Sequence, residues 1–308
     1  MSDHQIEYGT TGKPHPYHLV RPSIWPMAGS FAAGLAAVLT VMYMHGFKLP
    51  NGFAPGVILP ALGLLSVAAV MFFWWKDIVF ESVVERAHNA ITEIGLRYGM
   101  ALFIASEVMF FVAFFWAFFD SSLFTNEAHQ LLRMDYTKGV WPPPQFSPID
   151  PFDLPFLMTL VLLLSGCTVT WAHHAILKND QKSFIEALGY TVLLGVFFLC
   201  IQMFEYFHAS FGFKDGIFPS TFYMATGFHG FHVFVGTIFL FICWLRGKKG
   251  HFDDKHHFGF EAAAWYWHFV DVVWLFLFIA IYWWGGSIGI GDVDAVRAAN
   301  GIVPGAHE

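Results

Sequence analysis

Glu107 is the residue whose type and place most invite a chemical reading. It stands in the apolar run Ile104-Ala105-Ser106-Glu107-Val108-Met109-Phe110-Phe111, twelve residues into a long hydrophobic stretch. An ionised carboxylate at the middle of a bilayer costs at least ~2.5 kcal/mol, so an acid kept there is by default a functional residue. It would handle protons or touch a ligand. The bland account is a neutral carboxyl bonded to a neighbouring helix, because a relay needs a chain of partners and this stretch offers none. His229 and His232 lie three apart and share a helix face, as do His268 and Asp271. His173-His174 close another stretch beside Trp171. Such side chains could hold haem, copper or zinc. The spacing favours polar groups that bond across packed helices instead. No stretch carries the widely spaced histidine pair of a bis-haem cytochrome, nor an HxxxY or HHxF site that sets copper beside a haem. Structural roles are therefore expected for His173, His174, His229, His232, His268 and Asp271, with no metal site. Gly227 and Gly230, on either side of His229, predict close helix approach there. Glu205 and His208 fall near the end of one stretch, where snorkelling to the interface would satisfy both. His251, His256 and His257 sit in a polar loop and read as solvated.

These residues need elements to position them, and the composition says what kind. Of 308 residues, 56% are hydrophobic and only 13% charged, with 37 Phe and 12 Trp. Globular proteins carry about 25% charge, so a soluble fold could not keep this chain's aromatics out of water. A spanning helix takes about 20 mostly apolar residues. Seven such stretches occur, at about 23–46, 56–75, 96–119, 154–177, 184–208, 219–245 and 262–284, each bounded by charge or by Pro and Gly. The segment Asp77–Gly95 carries Asp77, Glu81, Glu85, Arg86 and Glu93, with apolar residues at helical spacing, and predicts an interfacial amphipathic helix. Thr125–Asp153, with Trp141-Pro142-Pro143-Pro144, predicts a stiff extramembrane loop. Residues 1–22 form a polar N-terminal tail, and 285–308 a polar C-terminal tail expected to be poorly ordered.

The net charge of −7, with no basic block, argues against a nucleic-acid partner. Cys167, Cys200 and Cys243 stand singly in separate apolar runs, which suits small buried residues better than disulfides or a metal site. No short apolar core with a cleavage site precedes the first long run, so no cleavable signal peptide is expected. Eleven of the sixteen Lys and Arg fall in the N-terminal tail and the loops after spans two, four and six, counting Arg97 at the very start of span three. The positive-inside rule then places the N-terminus in the cytoplasm (or matrix) and the C-terminus outside.

Several runs resemble subunit III of the haem-copper cytochrome c oxidases. They are Gly95-Leu96-Arg97-Tyr98-Gly99-Met100 continuing through Ser106-Glu107-Val108, then Trp171-Ala172-His173-His174, then Ala225-Thr226-Gly227-Phe228-His229-Gly230-Phe231-His232. The longest runs from His257 through Trp265-Tyr266-Trp267-His268 and Asp271 to Leu277, and the likeness extends from about Tyr17 to Trp284. The resemblance implies an all-α polytopic membrane protein with two helices splayed from five around a V-shaped lipid cleft. It implies a chain without haem or copper of its own, packed on oxidase subunits I and II. Subunit I holds the metals, and cytochrome c is met through the complex. The expected setting is a bacterial inner or mitochondrial inner membrane, with a respiratory supercomplex as a wider partner. Subunits of this family support proton uptake, slow turnover-linked inactivation and guide oxygen.

Carried over by position, the family's phospholipid contacts fall on Trp75, Glu81, His88, Phe103, Glu107, Arg246 and Lys249. Some relatives have a hydroxyl residue where Val83 stands, which would remove one headgroup hydrogen bond. His15 and His18 are candidates to buffer protons near the uptake entrance, since histidine titrates near neutrality, with ordinary surface histidines as the blander alternative. Rival readings are the corresponding subunit of a quinol oxidase, which often lacks the first two spans, a stand-alone transporter, and a haem-binding membrane cytochrome.

Overall fold

The computed structural model describes residues 22–303 except 51, 85–87, 89 and 128. Seven helices are long and apolar enough to cross a membrane. They are α1 (Trp25–Met44), α2 (Ile58–Val83), α3 (Ala90–Leu123), α5 (Leu154–Leu177), α6 (Gln181–His208), α7 (Ile217–Lys248) and α8 (Phe258–Leu277), which runs on as a π-helical stretch, Phe278–Ile288. Two short helices, α4 (Leu131–Thr137) and α9 (Val293–Asn300), lie outside them. No strand occurs among the described residues; backbone polar groups in lipid must be satisfied within their own segment, which helices do. The chain is an all-α, multi-pass membrane protein.

The expected interfacial helix over Asp77–Gly95 is not a separate element. Asp77, Glu81 and Val83 continue α2, and α3 starts at Ala90. With 26 and 34 residues, these helices exceed the ~20 that hydrocarbon requires, so their charged turns protrude beyond it.

The chain divides into two compact units, Met1–Leu96 and Arg97–Glu308. In the first, α1 packs on α2 through small residues. A Cβ at Gly63 would stand 2.6 Å from the Ala36 Cα, so only glycine lets these backbones meet. Close approach matters because lipid tails supply no hydrophobic drive between helices. The Trp25 indole donates to the Asp77 carboxylate, and its ring stacks on Phe73 at 6.1 Å. Most side chains on this hairpin face outward.

In the second unit, α5 packs on α6, α6 on α7, α7 on α8, and α8 back on α5. Trp267 sits fully buried among them. Its N–H donates to Ser165 Oγ on α5 at 2.8 Å. Its ring fills the space above Gly195 of α6 and Gly236 of α7, where a Cβ would come within 2.8 and 2.9 Å of it. Two turns on, Trp274 donates to Thr159 Oγ1 at 2.9 Å. Close approach thus occurs at Gly195 and Gly236, beside a large ring, whereas a Cβ at Gly227 or Gly230 would make only ordinary contact at 3.9 Å. α3 joins by aromatic side chains: Phe110 meets Phe228 at 5.0 Å and Phe115 meets Phe276 at 4.6 Å. Of the cysteines, only Cys243 is buried. Cys167 and Cys200 turn outward, which corrects the expectation for those two, because the outer face of a spanning helix suits a small apolar side chain equally well.

The segment after Gly285, expected to be poorly ordered, is folded as far as it is described. The Trp141 and Ile290 backbones exchange hydrogen bonds of 2.8 and 2.7 Å. Gly289 has φ +57°, and a Cβ there would collide with the Trp141 carbonyl, so the turn requires glycine. Asp292 caps α9 by accepting from the Ala295 N–H at 2.9 Å. Arg297 then donates to the carbonyls of Pro144 and Phe146 at 2.9 and 2.6 Å. The loop over Thr125–Asp153 contains α4, and Trp141 within it is fully buried.

Candidate functional site

Glu107 has a partner on another helix. Its Oε2 lies 2.9 Å from Nε2 of His232 on α7, with the two side chains 23% and 8% exposed. The other ring nitrogen, Nδ1, lies 2.7 Å from the Phe228 carbonyl. A carbonyl only accepts, so Nδ1 carries hydrogen. Nε2 then accepts from a protonated Glu107 or, in an imidazolium, donates to the carboxylate. Either way one proton bridges the pair. Phe110, Phe111 and Tyr266 surround the imidazole, at ring distances of 5.8, 4.9 and 6.3 Å.

His229, one turn before, is fully buried and its Nε2 meets the Val270 carbonyl at 3.2 Å. His268 and Asp271 share a face of α8, with Nδ1 and Oδ2 3.7 Å apart. Asp271 points into the gap that Gly166 of α5 leaves, and His268 Nε2 lies 3.3 Å from Thr170 Oγ1. The His268 side chain is 46% exposed, so it is no interior residue. His173 packs against His257 and Phe260, each at 6.0 Å, while His174 faces outward. Among the described residues, no group of three or more His, Cys, Asp or Glu is placed to hold a metal ion.

The snorkelling expected of Glu205 does not occur. Glu205 is buried and bonded to Tyr282, because α6 turns that face towards the bundle. His208, on the next turn, is exposed and stacks on Phe204 at 4.0 Å.

Of the residues expected to meet phospholipid, Trp75, Glu81 and His88 belong to the first unit and Phe103, Glu107, Arg246 and Lys249 to the second. Trp75 and Phe103 are exposed, and Glu81 and His88 half-buried. The half-buried Arg246 lays its guanidinium over the Phe252 ring at 4.4 Å from the centroid and keeps Nε buried without a hydrogen-bond partner. No carboxylate pairs with it among the described residues. Lys249 is exposed beside it. Burial, then the positive charges of Arg246 and Lys249, hold the nearby His251 imidazole below the ordinary histidine range. Sequence reasoning missed both the pairing of Glu107 with His232 and the isolation of Arg246 from any acid among the described residues. Neither leaves a local signal. His15 and His18 lie outside the described residues.

A family model described as cytochrome c oxidase subunit III matches residues 15–286. A protein of Arabidopsis thaliana named cytochrome c oxidase subunit 3 is 54% identical over 272 residues, covering 88% of this chain and 97% of the relative. The Marchantia polymorpha protein of that name is 54% identical over 273 residues, 89% of this chain and 98% of the relative. The Mus musculus protein is 50% identical over 275 residues, 89% and 99%. The match takes in the first six spans and the seventh as far as residue 286. The chain belongs to the cytochrome c oxidase subunit III family.

Proposed function

We propose that this chain is the non-redox subunit III of a proton-pumping cytochrome c oxidase in aerobic respiration. In this reading it steadies catalytic subunit I, which carries the haems and copper beside subunit II. It binds phospholipid, and it supports proton uptake and oxygen access. Family membership over residues 15–286 carries the reading. The chain then lies in a bacterial plasma or mitochondrial inner membrane, with its Lys/Arg-rich loops on the cytoplasmic or matrix side. His15 and His18 would buffer protons on that side.

The lipid role is supported by Arg246, Lys249 and His251. A half-buried guanidinium with no acid partner among the described residues, at the end of a spanning helix, suits a lipid phosphate. Trp75, Phe103, Glu81, His88 and Glu107 would line the acyl and headgroup contacts.

The test is a mild-detergent pull-down of this chain from its own membranes. The expected result is equimolar recovery of a subunit containing haem and copper, and no haem bands in a reduced-minus-oxidised spectrum of the separated chain. Recovery of the chain alone, or haem that stays with it after separation, would overturn the reading.

A further inference from the structure

Three buried polar side chains that play no part in the reading above meet where α6 faces the π-helical stretch of the seventh span. Gln202 and Glu205 share a face of α6 and are 3% and 2% exposed. Tyr282, also 2% exposed, donates its hydroxyl hydrogen to Glu205 Oε1 at 2.6 Å. The second carboxyl oxygen, Oε2, and both amide atoms of Gln202 are buried and make no hydrogen bond of ordinary length among the described residues, although the Gln202 amide lies beside the Tyr282 hydroxyl. Tyr282 is brought there by an 11-residue π-helical run. Wide turns of this kind are rare and recur at functional sites.

The wall opposite Gln202 is open by about the size of a methyl group. At Gly230 of α7, a Cβ would find only Gln202 within 4 Å, with Oε1 at 3.9 Å. The remaining surroundings are rings and two hydroxyls already committed elsewhere, Tyr206 to Thr226 Oγ1 at 2.7 Å and Tyr223 to the Phe211 carbonyl at 2.8 Å. Phe222 lies 5.2 Å and Trp274 5.8 Å from Tyr282, and Phe198 packs on Trp274 at 4.9 Å. Rings cannot satisfy a carboxyl oxygen and a carboxamide. Buried polar groups that protein atoms leave unpaired are met by ordered water, given room and at least two polar partners.

We infer that Gln202, Glu205 and Tyr282 form an internal water-binding site enclosed by α6, α7 and the seventh span. Water there bridges Glu205 Oε2 and the Gln202 amide, beside Gly230. A metal cation fits less well. It would meet Oε1 of Gln202 and Oε2 of Glu205 but offer nothing to the Gln202 N–H groups, whereas water both donates and accepts. The site gives the carboxyl group a solvent-exchangeable neighbour inside an otherwise apolar bundle.

The test uses the intact oxidase complex, its structure determined at a resolution that shows ordered water, for wild type and for Gly230→Ala. The added methyl meets no clash and occupies the water's space. In wild type, density is expected about 2.6–3.2 Å from Glu205 Oε2 and from the Gln202 amide. In Gly230→Ala that density should be gone, with other internal waters unchanged. A dry wild-type site with the Gln202 amide bonded to backbone would overturn the inference. So would density that persists in the variant, or an ion with several oxygens at about 2.0–2.6 Å. If Gly230→Ala does not assemble, radiolytic hydroxyl labelling of the wild-type complex decides, because radicals form at bound water. Tyr282 should be oxidised well above the fully buried Trp267, and equal, background labelling of both would sink the proposal.

Discussion

The hydrogen that His232 Nδ1 gives to the Phe228 carbonyl leaves Nε2 to face Glu107, so each partner decides what the other can do. A glutamine at position 107 can still bond Nε2 through its amide. Glu107→Gln is therefore expected to assemble with full haem content and to keep most of its turnover, checked by oxygen consumption of the purified complex. Complete loss of turnover with haem intact would refute the supporting role. Arg246 is the opposite case, a basic group whose neighbours are an aromatic ring and another base rather than an acid. Arg246→Gln should lower the phospholipid that co-purifies with the complex, measured by mass spectrometry, and hasten inactivation during turnover. Wild-type levels of both would remove Arg246 from the lipid site.

Helices pack here by pairing small residues with large rings, and the tightest fit surrounds Trp267. Gly236→Val would press a branched side chain against that ring, which stands 2.9 Å from the Cβ position. Overpacking of a close-packed core costs about 1–3 kcal/mol, so the variant complex should unfold at lower temperature in a thermal shift assay. The start of α6 offers a test by pH. Asp180 caps it by accepting from the Ser183 N–H and hydroxyl at 3.1 and 2.6 Å, and those hydrogen bonds hold its carboxyl below the ordinary aspartate range. A depressed folded value means the cap's contribution is whole above the unfolded aspartate value of about 3.9. It is lost only as pH falls through the lower, folded value. Amide exchange at Ser183 should stay protected down to about that pH and rise below it. Asp180→Ala should exchange fast throughout.

At the scale of the whole molecule, residues beyond 286 stand outside the family match yet hold the extramembrane loop in place. The two carbonyls that Arg297 grips lie within that loop, at Pro144 and Phe146. Hydrogen bonds from a charged donor are worth about 1.5–3 kcal/mol. Arg297→Ala should therefore raise hydrogen exchange and protease cutting over residues 141–147 while leaving the spans intact. Unchanged protection there would show that the Trp141–Ile290 pairing alone holds the loop.

The sequence by itself determined the solvent, the seven spans and the family. Lipid tolerates only long apolar helices, and their length and limits are local properties. What only the tertiary structure decided is which polar groups meet: Glu107 with His232, Glu205 with Tyr282, Trp267 with Ser165. It also decided that Glu205 turns inward while His268 turns outward. The reason is physical. A helix in water announces its inner face by an apolar stripe, but a helix in lipid is apolar all round. Its rotation is set by ring shapes and glycine gaps on partner helices far away in sequence.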